Sequence, residues 1–202
     1  MIHTHDPKTD RSLYLAAFSE GVDLDAFLTD ARANREMWHA MAHRIPAHDD
    51  ASARLRELGG CWKVLVLADD WCGDAVNTLP LATRLLEAGG TAEVRIVPRE
   101  GFPELMDQHL TGGSRSIPVF ILLGLDGTVR GSWGPRPRDL QSRFEADLRS
   151  LPSDERYREI RRWYARDRGA STVREIVEMV ESAIASDREA ASNIPCPEGR
   201  TA

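Results

Sequence analysis

The apolar and polar positions fall into blocks of changing period. Trp62 to Ala68 reads WKVLVLA, a seven-residue apolar run with one charge and no turn residue. That continuity predicts a strand buried on both faces. Asp69 and Asp70 close it, and from Asp74 the spacing turns helical, with Leu79, Ala82, Leu85 and Leu86 on one side up to Gly89-Gly90. Ala92 to Val97 is a second β-branched run, so strand, helix and strand follow within about 36 residues as a βαβ unit, whose crossover is right-handed in nearly all known cases. Phe102 to Leu110 reads as a short helix. Ile117-Pro118 then introduces VFILLG, and Asp126-Gly127 turns it into TVRGSW, which predicts an antiparallel hairpin.

Both flanks are helical in pattern. Leu13 to Phe18 fits a short helix. Asp23 is placed to cap one long helix bearing Leu24, Phe27, Leu28, Ala31, Trp38, Met41 and Ile45, ended by Pro46. Residues 49–58 make another, closed by Gly59-Gly60. After Gly134-Pro135-Arg136-Pro137, helical spacing returns over about 138–150 and over 153–168, with Tyr157, Ile160, Trp163 and Tyr164 as its apolar side. Thr172-x-x-Glu175 has the form of a capping box ahead of the stripe Val173, Ile176, Val177, Val180 and Ile184. The division expected is a helical extension at 1–58 packed on a core at 59–150, C-terminal helices at 151–187, and a frayed tail at 188–202.

Composition narrows the function classes without choosing one. The chain has 202 residues, 42% hydrophobic and 29% charged, the balance of an ordinary globular protein. A net charge of −6 spread over both signs gives no reason to expect nucleic acid or an anionic membrane as partner. Arg156, Arg158, Arg161, Arg162, Arg166 and Arg168 crowd one segment, but Glu155, Glu159 and Asp167 interleave with them as in a solvated ion-pair face. No window approaches the roughly 20 apolar residues of a membrane helix, and MIHTHDPKTD lacks the order of a secretory signal. Cys61, Cys72 and Cys196 are too few for a disulfide framework, so a reducing, cytoplasmic setting is expected. His39 and His43 share a helix face and His3 and His5 a polar terminus, but neither pair has a third ligand patterned beside it, and no metal site is expected.

The candidate chemistry sits at the corner between the buried strand and its helix. Cys72, in Trp71-Cys72-Gly73-Asp74-Ala75, stands where the first N–H groups of a helix point outward and favour a thiolate. Asp74 opposes this, since a nearby like charge raises an acid's pKa. The strand alone separates Cys61 from Cys72 by about 20 Å, beyond disulfide reach. Cys61 therefore reads as a small apolar residue, while a Cys72–Cys196 pair stays open.

Taken in order, WCGDA, LMDQHLT, GGSRSIPVFI and SWGPRP resemble the thioredoxin-like superfamily over about residues 60–135, in particular a bacterial branch with Asp inside the active-site tetrad and an extra N-terminal helical segment. The resemblance implies an α/β thioredoxin-like fold: a central mixed sheet with a parallel βαβ unit and a C-terminal β-hairpin, flanked by helices, with extra helices at both ends. It implies Cys72 as attacking thiol beside Trp71, Gly73 and Asp74. Pro118 is implied to be a cis proline, with Ile117 presenting its backbone to an extended substrate; Gly134 would line that groove. Arg136, just beyond it, reads either as reaching an anionic substrate group or the thiolate, or as a plain surface arginine.

Three departures matter: Ala75 replaces the resolving cysteine, Val66 replaces a buried acid, and Asp74 replaces the usual proline. Three functions follow. The first is monothiol exchange on protein disulfides or glutathionylated thiols, with no bound cofactor and glutathione or another small thiol as co-substrate. The second is a redox-inactive module holding an extended peptide or partner protein in the cis-proline groove. The third is a cluster or metal ligated through Cys72 and glutathione or across a dimer.

Overall fold

A computed structural model describes residues 11–43 and 48–189. Its centre is a four-stranded sheet built from β1 (Trp62–Leu67), β2 (Ala92–Val97), β3 (Val119–Leu123) and β4 (Val129–Trp133). The order is β2-β1-β3-β4. β1 runs parallel to β2 and antiparallel to β3, which pairs antiparallel with β4. Val64, Leu65, Val66 and Leu67 are fully buried, as the unbroken apolar run requires of a central strand.

The connection between the parallel strands is α5 (Gly73–Ala88), which carries Pro80 in its interior. Eleven of its residues are buried, from Asp74 to Leu86, because it is covered from several directions. One cover is the N-terminal extension: α3 (Arg35–His43) and α4 (Asp49–Leu58) pack on α5, while α1 (Arg11–Glu20) and α2 (Leu24–Asp30) lie against the sheet. The sequence suggests one helix from Asp23 to Ile45, but the structure breaks it in two. Asp23 does cap α2, accepting the Ala26 N–H at 2.8 Å. At Asn34 the chain turns left-handed (φ 53°), a conformation Asn tolerates better than most residues, before α3 begins. Ile45 and Pro46, like His3, His5 and Cys196, lie outside the described residues. The extension also blunts the sheet edge: Val22 exchanges two backbone hydrogen bonds with Ile96, at 3.0 and 2.8 Å.

After α6 (Pro103–Gln108), which a 3-10 turn over Arg99–Gly101 precedes, come the hairpin and then α7 (Arg138–Arg143), a π-helical stretch over Phe144–Leu148, α8 (Ser153–Asp167) and α9 (Ala170–Glu189). Leu140, Leu148, Ile160 and Tyr164 form a small second core beside the main one. Tyr157, expected on the apolar side of α8, is 50% exposed instead. Glu159 accepts both Arg143 at 3.0 Å and Arg162 at 2.6 Å, so part of that arginine-rich surface is ion-paired.

The Thr172–Glu175 pattern is no capping box. Helix α9 already starts at Ala170, so both residues lie inside it. Glu175 is buried and accepts the Trp133 indole N–H at 2.8 Å and the Arg138 backbone N–H at 3.1 Å. That docks α9 on β4 and on the first residue of α7. Cys61 is disulfide-bonded, which corrects its reading as a plain apolar residue. Among the described residues no helix is long and apolar enough to cross a membrane, and no three His, Cys, Asp or Glu side chains converge as metal ligands, around His39 and His43 included.

Candidate active site

Cys72 is the N-cap of α5, in extended backbone (φ −81°, ψ 116°). Its peptide N–H turns back to the Asp69 carbonyl at 3.1 Å, and its carbonyl accepts from Val76 as the helix starts. This places the sulfur against the first helical amides and across from β3. The residue is 7% exposed, and its free thiol donates to the Ile117 carbonyl at 3.3 Å. The Ile117–Pro118 peptide is cis, and Ile117 itself is buried, so its carbonyl faces the sulfur from inside the sheet end. Cys72 is a free thiol, and Cys196, the partner left open for it, lies outside the described residues.

Gly134 closes the other side of that peptide. Its φ is +132°, and a Cβ there would stand 2.1 Å from the Pro118 carbonyl oxygen, so only glycine lets the two backbones meet. A second cis bond, Gly134–Pro135, leads the chain to Arg136.

The charge arrangement differs from the expectation for Asp74 and Arg136. Asp74 is not an exposed helix-terminal charge but is buried, at 8% exposure. Its Oδ2 accepts Arg136 Nε at 3.0 Å and Nη2 at 2.6 Å, while its Oδ1 accepts the Tyr164 hydroxyl at 2.9 Å. Arg136 is thus spent on Asp74 rather than held out to an anionic substrate. Its third nitrogen donates to Gln141 Oε1 at 3.0 Å, and the guanidinium lies 4.2 Å from the Phe144 ring centre. Buried charges persist only when paired and hydrogen-bonded in this way.

These surroundings set the thiol. Burial pushes Cys72 up to about 11, and the Asp74 carboxylate pushes in the same direction. The backbone N–H groups of Ala75 and Asp74 and the charge of Arg136 oppose them without winning. The same desolvation holds the Tyr164 phenol well above its ordinary range, so it stays a donor to Asp74. Val66, at the place where the resemblance puts a buried acid, leaves the strand below the sulfur without one. Ala75, where a resolving cysteine would stand, is fully buried in the first turn.

The remaining expected residues divide by position. Gly73 is exposed, with open space around it. Trp71 is 53% exposed, and the Arg99 guanidinium sits 5.2 Å from its ring centre. The structure therefore gathers Cys72, Asp74, Ile117, Pro118, Gly134 and Arg136, with Trp71 at the rim. It adds Tyr164 from α8 and Asp70 from the loop before Cys72. The Asp70 carboxylate accepts the Arg32 and Ala33 backbone N–H groups at 2.7 and 2.8 Å. Its carbonyl accepts Asn34 Nδ2 at 3.2 Å and the Trp38 indole at 2.8 Å.

A family model described as Thioredoxin matches residues 21–149. The chain belongs to the thioredoxin family. No curated protein matches the sequence. Among solved structures, this thioredoxin-family chain is similar to a Pseudomonas aeruginosa protein of unknown function (TM-score 0.67, 17% identity, 84% of this chain and 98% of that one). It is also similar to an HIV epitope-scaffold protein (TM-score 0.64, 16% identity, 83% and 97%). At such identities the likeness speaks for the fold alone. The family match ends before α8 and α9, which carry Tyr164 and Glu175.

Proposed function

We propose that the protein exchanges thiols and disulfides through Cys72 alone. The observation that carries this is the sulfur's seat. It lies at the N-terminus of α5, with the Asp74 and Ala75 amides acting on it and the carbonyl before the cis proline as its hydrogen-bond acceptor. In the reaction the thiol loses its proton to solvent, and the thiolate attacks one sulfur of a protein disulfide or a glutathionylated thiol. An S–S bond forms to Cys72 while the other substrate sulfur leaves as a thiolate and takes up a proton. With a glutathionylated substrate, a second small thiol such as glutathione attacks the glutathione sulfur held on Cys72. Oxidised glutathione leaves and the Cys72 thiol is regenerated. No cofactor is needed, and Ala75 leaves the second thiol to come from outside. Ile117, Pro118 and Gly134 would hold the substrate segment, with Trp71 at its edge.

The test is the reduction of a glutathionylated peptide by glutathione at pH 9 and above, with the mixed disulfide trapped and mapped. The wild-type chain should form the adduct on Cys72, and Cys72→Ser should abolish both adduct and turnover. Turnover retained in Cys72→Ser would overturn the proposal.

A second reading draws on a different observation: the thiol is buried and held protonated at neutral pH. On that reading the groove binds an extended peptide and the sulfur does no chemistry. Peptide binding that survives Cys72→Ser, with no adduct at any pH, would select it.

A further inference from the structure

Helix α8 reaches the reacting group through one hydroxyl. Tyr164 is 6% exposed, stands 90 residues from Asp74 in sequence, and donates to Asp74 Oδ1 at 2.9 Å. Arg136 holds the other carboxylate oxygen with two nitrogens, so both oxygens of Asp74 are pinned from opposite chain segments. Asp74 is two residues from Cys72 on the first turn of α5. The charged and titratable groups facing Cys72 are Asp74 from α5 and Arg136 from the loop before α7, with Tyr164 from α8 acting on Asp74. Tyr164 is itself anchored by the second core and by an edge-to-face contact with Trp163, ring centres 5.4 Å apart.

We infer that Tyr164 is a positioning residue for Cys72: its hydroxyl fixes the Asp74 carboxylate and draws its charge away from the sulfur, so that the C-terminal helices complete the site. This deepens the thiol-exchange reading and rests on Cys72 as its reacting group. Without the hydroxyl, Asp74 keeps Arg136 but loses a neutral donor, and its charge bears more fully on the thiolate. The thiol then ionises at higher pH. Replacing Asp74 by Asn removes the charge, lowers that pH, and leaves Tyr164 with nothing to transmit.

The experiment is a double-mutant cycle on the full chain, read as the pH midpoint of Cys72 alkylation by iodoacetamide. Tyr164→Phe should raise the midpoint by about half a unit, roughly threefold in rate below it, and should leave the midpoint unmoved in an Asp74→Asn background. A Tyr164 bearing one ring fluorine, nearly isosteric and a stronger donor, should move the midpoint the other way; this arm remains if the Phe variant fails to fold. Equal shifts in both backgrounds, or none in either, overturn the inference. Alkylation needs no disulfide substrate, so loss of the exchange reaction alone would count against the proposed function and not against Tyr164.

Discussion

The resting protonation of Cys72 yields a prediction with a computable size. Its pKa is about 11 against an ordinary 9.0, a difference of two units. At pH 7 the thiolate fraction is then about one in ten thousand, roughly a hundredfold below that of an unperturbed thiol. Alkylation of the native chain, followed by intact mass and peptide mapping from pH 6 to 11.5, should rise tenfold per pH unit and level off only near the top of that range. The same shift is a stability term. The folded state binds this proton more tightly than the unfolded chain, so its contribution is fully present below about pH 9 and is lost as pH rises through about 11. Two units correspond to about 3 kcal/mol. Denaturant unfolding of the wild type minus that of Cys72→Ala should show a loss of this order across the same window. A rate plateau below pH 8 would refute the reasoning, because it would mean that the helix amides and Arg136 outweigh burial and Asp74.

Two further outcomes follow from contacts at the same corner. Gly134→Ala should lower stability by about 3 kcal/mol or more, read by urea unfolding, because its Cβ would fall 2.1 Å from the Pro118 oxygen at φ +132°; an unchanged midpoint would refute that packing. Arg136→Met should cost about 3–5 kcal/mol by leaving Asp74 buried without its counter-charge, and adding Asp74→Asn should recover much of the loss. No recovery in the double variant would show that Arg136 stabilises through packing on Phe144 instead.

Much of the core was legible because it is local. The apolar run at 62–68, the Asp-Gly turn and the glycine stops each express a backbone rule acting over a few residues, and the strands and α5 lie where those rules put them. Cys72 lies on the Ile117 carbonyl and Gly134 against the Pro118 carbonyl, so these residues stand together at one end of the sheet. The misreadings share a cause in tertiary pairing. Nothing in the sequence marks Tyr164 as different from its apolar neighbours, since the hydroxyl matters only once α8 lies over α5. Asp74 and Arg136 read as two separate charges near the sulfur because their partnership spans 62 residues. Glu175 fits a local capping pattern, yet long-range partners, Trp133 and Arg138, claim its carboxylate. Residues 31–34 break a helix whose apolar spacing runs straight through: the chain leaves helical geometry at Ala31 (ψ 125°) and turns left-handed at Asn34 (φ 53°).

The Asp70 contacts carry a consequence for how this protein can be divided. Side chain and carbonyl of one residue, two before Cys72, are claimed by Arg32, Ala33, Asn34 and Trp38. The sheet alone therefore does not hold the loop ahead of Cys72 in place. A fragment cut at residue 59 would keep every strand yet lose the four donors that shape the loop ahead of Cys72. The Cys72 corner is shared property of two parts of the chain, and a transplant that moves the cysteine must move α3 and the turn before it as well.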